Sequence, residues 1–228
     1  MLALAACLGW AATLGGCARR PAGPNDAYRD PRISAETWNH FFEDDGRGEI
    51  YQRRDAILRL AGARPGTVVA DVGAGTGLFS MMLSDAVGPT GRVYAEEVEP
   101  RFSQYIAARA ARDGRTNVVA VVGTERGIGL PPQSIDLAFL CDVYHHFDYP
   151  NEMLASIRQA LRPGGALFLV DFRRAPGASP SWVLEHVRAG EEQVIQEIER
   201  AGFILISADH SFRDSYALRF RASGSAQR

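Results

Sequence analysis

The chain has 228 residues, 46% hydrophobic and 23% charged, which suits one α/β domain with an extension. A formal net charge of −2 carries no basic surplus and argues against nucleic acid as the main partner. The three cysteines, Cys7, Cys17 and Cys141, show no metal-type spacing, and no disulfide framework is expected once the segment before Cys17 is removed.

Residues 1–18 contain no charged side chain and are rich in Leu and Ala. This run is shorter than the ~20 residues a membrane-spanning helix needs and fits the apolar part of a secretory signal. Leu14-Gly15-Gly16-Cys17 resembles a bacterial lipobox. That resemblance implies removal of residues 1–16 and a lipid on Cys17, holding the protein to a membrane on the periplasmic side of the cell envelope. No Lys or Arg follows Met1, a departure from the usual basic start. The alternative is a cytoplasmic protein beginning near Asn25.

Residues 17–33 then form a Pro-rich tether, and residues 34–63 a helical extension. Ser34 is placed as an N-cap, with Thr37 three residues on. Trp38, Phe41 and Phe42 form an aromatic group expected to pack as core. Asp44-Asp45-Gly46-Arg47-Gly48 breaks the pattern, and a second helix carries Tyr51, Ile57, Leu58 and Leu60.

Residues 64–222 read as the main domain, with residues 223–228 as a tail. The run Val68-Val69-Ala70-Asp71-Val72-Gly73-Ala74-Gly75-Thr76-Gly77 is a β-branched strand breaking into a glycine turn, followed by a helical stripe of Leu78, Phe79, Met82, Leu83, Ala86 and Val87. Such a turn brings backbone N–H groups and a helix N-terminus to a ligand. A dinucleotide fingerprint G-x-G-x-x-G would put its third glycine at position 78, which is Leu78. A second strand ends at Glu96-Glu97-Val98-Glu99-Pro100, placing Glu97 twenty residues beyond Gly77, where an acid accepts bonds from ribose hydroxyls. Pro100 suits a first helical position. Strands follow at Val118 to Val122, Ile135 to Leu140 and Ala166 to Val170, with a helix of Met153, Leu154, Ile157 and Leu161 closed by Arg162-Pro163-Gly164-Gly165. Gly202 ends a last helix. Phe203 to Ser207 and Tyr216 to Phe220, joined by a short polar turn, must pair antiparallel.

Asp71, Gly73, Gly75, Gly77 and Glu97 together resemble the class I (seven-strand, Rossmann-like) S-adenosylmethionine-dependent methyltransferases, over most of the chain. The resemblance implies a three-layer α/β sandwich, its mostly parallel seven-stranded sheet ending in an antiparallel hairpin. It implies S-adenosylmethionine as cofactor, held by Asp71, Gly73, Ala74, Gly75, Gly77, Glu97 and Val98. Thr124 and Glu125 fall where the family contacts adenine, and Cys141 at the end of the fourth strand. Thr124 stands where the family often has Asp, leaving Glu125 as the next candidate for the adenine amine. Tyr51 and Arg54 are candidates for the cofactor carboxylate.

Cys141-Asp142-Val143-Tyr144-His145-His146-Phe147 resembles the family segment after the fourth strand. It makes Asp142 and His145 the catalytic candidates, His145 as base or acceptor-orienting group. No metal is expected: His145, His146 and Asp148 are a conceivable set, but adjacent histidines usually point apart. The expected reaction is methyl transfer to a small-molecule acceptor under a lid made of the N-terminal extension and the loop of residues 172–187. A nucleotide-dependent oxidoreductase and a membrane-tethered binding protein without turnover are the alternatives.

Overall fold

A computed structural model of the chain describes residues 25–43 and 48–223. The expected signal segment with its lipobox-like string at Cys17, and most of the Asp44–Gly48 break, lie outside the described residues. Helix α1 (Asp26–Arg29) and α2 (Ala35–Glu43) make an N-terminal arm. Ser34 caps α2 as expected, its hydroxyl accepting from the Thr37 N–H at 3.2 Å. The expected second helix is two pieces, α3 (Glu49–Gln52) and α4 (Arg54–Ala61), because Arg53 leaves helical geometry at φ −102° and ψ 10°.

From there strand and helix alternate: β1 (Val68–Val72), α5 (Leu78–Val87), β2 (Arg92–Glu97), α6 (Pro100–Arg112), β3 (Val118–Val122) and β4 (Ile135–Cys141). Then come α7 (Pro150–Ala160), β5 (Leu161–Phe172), α8 (Ser181–His186), α9 (Glu191–Arg200), β6 (Phe203–Asp209) and β7 (Ser215–Ala222). The strands form one sheet in the order β3-β2-β1-β4-β5-β7-β6. The first five are parallel, and β7 lies antiparallel between β5 and β6. This is the topology that the sequence implied.

The central strands are apolar on both sides, as a parallel sheet covered on two faces requires. Side chains of α3, α4 and α5 pack on one face, around Val69, Val93, Phe139 and Phe168. Those of α7 and α9 pack on the other, around Ala70, Leu140, Leu169 and Leu218. Helix α6 joins α5 through Met81, Ile106 and Ala110 over Ala95.

Two expectations are corrected. Leu161-Arg162-Pro163-Gly164-Gly165 does not simply close α7: Leu161 already pairs with Ile135, and the register then slips so that Ala166 pairs with Leu137. Gly164 at φ +81° lets the extra residues bulge out of the ladder. The stretch 172–187, expected as a loop, contains α8.

Candidate functional site

The order β2-β1-β4 reverses at β1, and ligands of open α/β sheets sit at such a point, outside the carboxyl ends of the strands. Here β1 runs into the glycine turn. Gly73 has φ +65°, and a Cβ there would fall 2.2 Å from Val143 Cγ2, so bare backbone is required. Gly77 stands at the N-cap of α5 with φ +87°.

The N–H groups of this turn are not all directed at a ligand. Ala74 donates to the Glu96 carbonyl at 2.9 Å. Gly73 donates to Glu96 Oε2 at 3.2 Å, and Gly75 to Glu97 Oε2 at 2.9 Å. Glu97 Oε1 takes the Val98 and Glu99 N–H groups at 2.8 and 3.2 Å. Each carboxylate oxygen has two lone pairs, so Oε1 is filled and Oε2 keeps acceptor capacity for one more donor. Glu96 Oε1 is buried and has no hydrogen bond. A Cβ on Gly123 would fall 1.8 Å from it, so that wall is also bare backbone. Burial, followed by repulsion from Glu97, pushes the Glu96 carboxyl up to about 8. Burial pushes Glu97 up to about 7 against its three backbone donors.

A cavity of about 300 Å³ opens over these groups. Of the residues picked out in the sequence, Gly73, Gly75, Glu97, Val98, Thr124, Glu125 and Asp142 line it. Apolar cover comes from Phe102, Val143, Phe147 and Met153. Thr124 is folded back on Gly127, its N–H donating to that carbonyl at 2.9 Å. Glu125 pairs with Arg29 of the arm, so it is not idle at the mouth.

Asp71, Ala74, Gly77, Cys141 and His145 do not line the cavity. Asp71 is 3% exposed and accepts the Ser80 hydroxyl at 2.5 Å, tying β1 to α5. Ala74 packs with Met81 and Ile106, and Cys141 is buried in the face under α5. His145 is turned inward by the short 3₁₀ turn Tyr144–His146 and is 3% exposed. Its Nδ1 lies 2.7 Å from Asp171 Oδ1, and its backbone N–H donates to Asp171 Oδ2 at 3.1 Å. Burial alone would lower its pKa; the Asp171 carboxylate outweighs it, and the net shift is upward. Arg54 stacks on its own neighbour Tyr51, 4.4 Å over the ring, and neither reaches the cavity.

Sequence reasoning missed Glu96, Tyr28, Phe42 and His146, all of which line the cavity. Strict strand alternation hides Glu96, because it sits on the face opposite Glu97. The pair of acids ending β2 was the available signal. The aromatic group is divided: Phe42 is buried while Phe41 is 48% exposed. Tyr28 packs tilted against Trp38 and meets the His146 ring edge-on, with centroids 4.7 and 5.2 Å apart. The arm is held over the cavity by Arg101, which donates to the carbonyls of Asp30 (2.6 Å), Ile33 (2.7 Å) and Tyr28. Arg109 pairs with Glu43 and donates to Asn39 at 3.2 Å.

Residues 70–169 match the methyltransferase-domain family. The chain is 28% identical over 168 residues to a protein-L-isoaspartate O-methyltransferase of Aeropyrum pernix, covering 72% of this chain and 60% of the relative. It is 27% identical over 117 residues to the ubiquinone/menaquinone biosynthesis C-methyltransferase UbiE of Cupriavidus taiwanensis, covering 51% and 48%. It thus spans about half the length of the curated relatives it matches. Its fold resembles the crystal structure of a SAM-dependent methyltransferase from Aquifex aeolicus, with TM-score 0.72, 23% identity, and coverage of 82% of this chain and 98% of that one.

Proposed function

We propose that this chain, with its methyltransferase domain at residues 70–169, transfers methyl groups from S-adenosylmethionine to a small-molecule acceptor. The observation that carries the reading is the cavity itself. Bare backbone at Gly73, an unfilled acceptor on Glu97 Oε2 and an apolar wall fit a sugar and a flat base. Glu97 would hold the ribose, and Val98 and Phe102 would flank the base. When bound, S-adenosylmethionine supplies a methyl group whose leaving group is a neutral thioether, so the protein needs to align the acceptor and exclude water. The arm residues Tyr28 and Phe42, with Phe147, close the cavity against solvent. Asp142 and His146, in the segment that follows β4, would orient the acceptor. His145 stands behind them and acts through its neighbours, with Asp171 fixing its ring.

Calorimetry with S-adenosylhomocysteine, followed by methyl release in an acceptor screen, tests this reading. Tight binding with no turnover on any acceptor favours a binding protein instead, and no binding of either cofactor form removes the reading. A lipid on Cys17 remains our proposal from the Leu14-Gly15-Gly16-Cys17 string, and mass spectrometry of the mature N-terminus tests it. No described helix is long and apolar enough to cross a membrane.

A further inference from the structure

Three imidazoles from two separate segments converge beside the cavity. His145 and His146 lie on the 3₁₀ turn after β4, and His186 is the last residue of α8, in the stretch 172–187. The ring centroids are 4.1 Å apart for His145 and His146, 5.1 Å for His145 and His186, and 4.9 Å for His146 and His186. One ring nitrogen of each lies within 4.8 Å of the others. Adjacent histidines were expected to diverge; here the tight turn keeps their rings side by side.

The surroundings suit a cation. Asp171 binds His145 Nδ1 at 2.7 Å and its backbone N–H at 3.1 Å, which fixes the ring and leaves Nε2 to offer its lone pair. Asp142 Oδ1 lies 4.0 Å from that Nε2 and adds negative charge. The nearby cation Arg188 is paired with Glu197 at 2.8 Å. Carboxylate, histidine and metal in series is the common arrangement of outer and inner shells in histidine sites.

We propose that His145, His146 and His186 bind one divalent first-row transition ion of the zinc, cobalt or nickel type, with Asp171 as the positioning residue behind His145. Imidazole ligands select these ions over magnesium and calcium, which prefer oxygen. Tetrahedral nitrogens at ~2.0–2.1 Å from an ion lie about 3.3 Å apart, so the three rings close by roughly 1.5 Å at most on binding. Because His186 comes from α8 and the others from the turn after β4, the ion would fasten the α8 segment to that turn next to Asp142. Three protein ligands leave a fourth position for Asp142, water or an oxygen of the methyl acceptor. The site does not depend on methyl transfer and stands or falls by metal binding.

The experiment is a titration of the chelator-treated full chain with Co²⁺, followed by visible absorption and by metal analysis after dialysis. We expect one equivalent, with the d–d bands of nitrogen-ligated four-coordinate cobalt, competed by Zn²⁺. His186→Ala should abolish stoichiometric uptake, while its circular dichroism and its binding of S-adenosylhomocysteine stay those of the parent. Asp171→Asn, which keeps the shape, should weaken affinity about 10–100-fold. Less than stoichiometric uptake by the parent overturns the proposal. So does uptake that persists unchanged in His186→Ala, at cysteine thiols or elsewhere. If His186→Ala does not fold, His186→Gln serves in its place under the same two criteria.

Discussion

Replacing Glu96 by Gln isolates the cost of an ionised carboxylate in a closed, bare-walled pocket. Glu96 is 1% exposed, and its carboxyl is pushed from an ordinary 4.5 up to about 8. The folded chain therefore holds a proton that the unfolded chain releases between those values. Its contribution to stability is complete below pH 4.5 and is lost as pH rises towards 8. At about 1.36 kcal/mol per pH unit, the loss is roughly 3 kcal/mol at pH 7 and about 5 kcal/mol above pH 8. Gln keeps the acceptor for the Gly73 N–H and cannot ionise. The variant should exceed the parent by less than about 1 kcal/mol at pH 5 and by about 3 kcal/mol at pH 7, the latter a rise in Tm of roughly 6–12 °C. Burial would raise the Glu197 carboxyl, but hydrogen bonds from Arg188, Gln193 and Tyr144 together hold it at about 2, so it acts in the opposite direction and only below its ordinary 4.5. The windows do not overlap. Urea or thermal unfolding from pH 5 to 9, followed by circular dichroism, reads the difference. A parent curve that is flat from pH 5 to 8, or a variant curve parallel to it, refutes the reasoning.

Glu97→Ala should weaken S-adenosylhomocysteine by about 1–3 kcal/mol, or roughly 5–150-fold in Kd by calorimetry; an unchanged Kd removes Glu97 from the ribose. Gly73→Ala puts a Cβ 2.2 Å from Val143 Cγ2 at φ +65°, so unfolding should show a loss of about 1–3 kcal/mol together with lost cofactor binding. Arg101→Ala frees three arm carbonyls, each a charge-assisted bond. In limited proteolysis, cleavage within residues 25–34 should be at least ~10-fold faster, and cofactor should slow it less than in the parent.

The sheet was legible because its signals are strong and local. β-branched runs end in glycine or an acid, helical stripes follow, and Phe203–Asp209 and Ser215–Ala222 are too close in sequence to pair in parallel. One wall of the cavity was legible for the same reason, since Gly73, Gly75, Glu97 and Val98, which line it, sit at strand ends where periodicity stops. What failed was facing. His145 and His146 are neighbours in sequence, and a three-residue turn decides which of them looks into the cavity. Asp71 reads as a ligand residue beside the glycines, yet it accepts the hydroxyl of Ser80, in the first turn of α5. Tyr28 and Phe42 reach the cavity through Arg101 and Arg109, long-range fastenings that no local pattern encodes. His186 gave no signal at all, since a lone histidine in a Pro/Ser-rich stretch meets its partners only through the tertiary fold.

Asp142 has φ +60°, a left-handed residue that swings Val143 across the end of β1. Val143 thereby occupies the volume a side chain at position 73 would need. The tips of the two strands are a fitted joint, in which one partner is a void and the other a plug. A methyl added at position 73 ought then to be tolerated again once Val143 is trimmed to glycine, apart from the residual strain of the backbone. Position 73 cannot gain a side chain until position 143 has given one up, so the order of any remodelling of the pocket floor is set in advance.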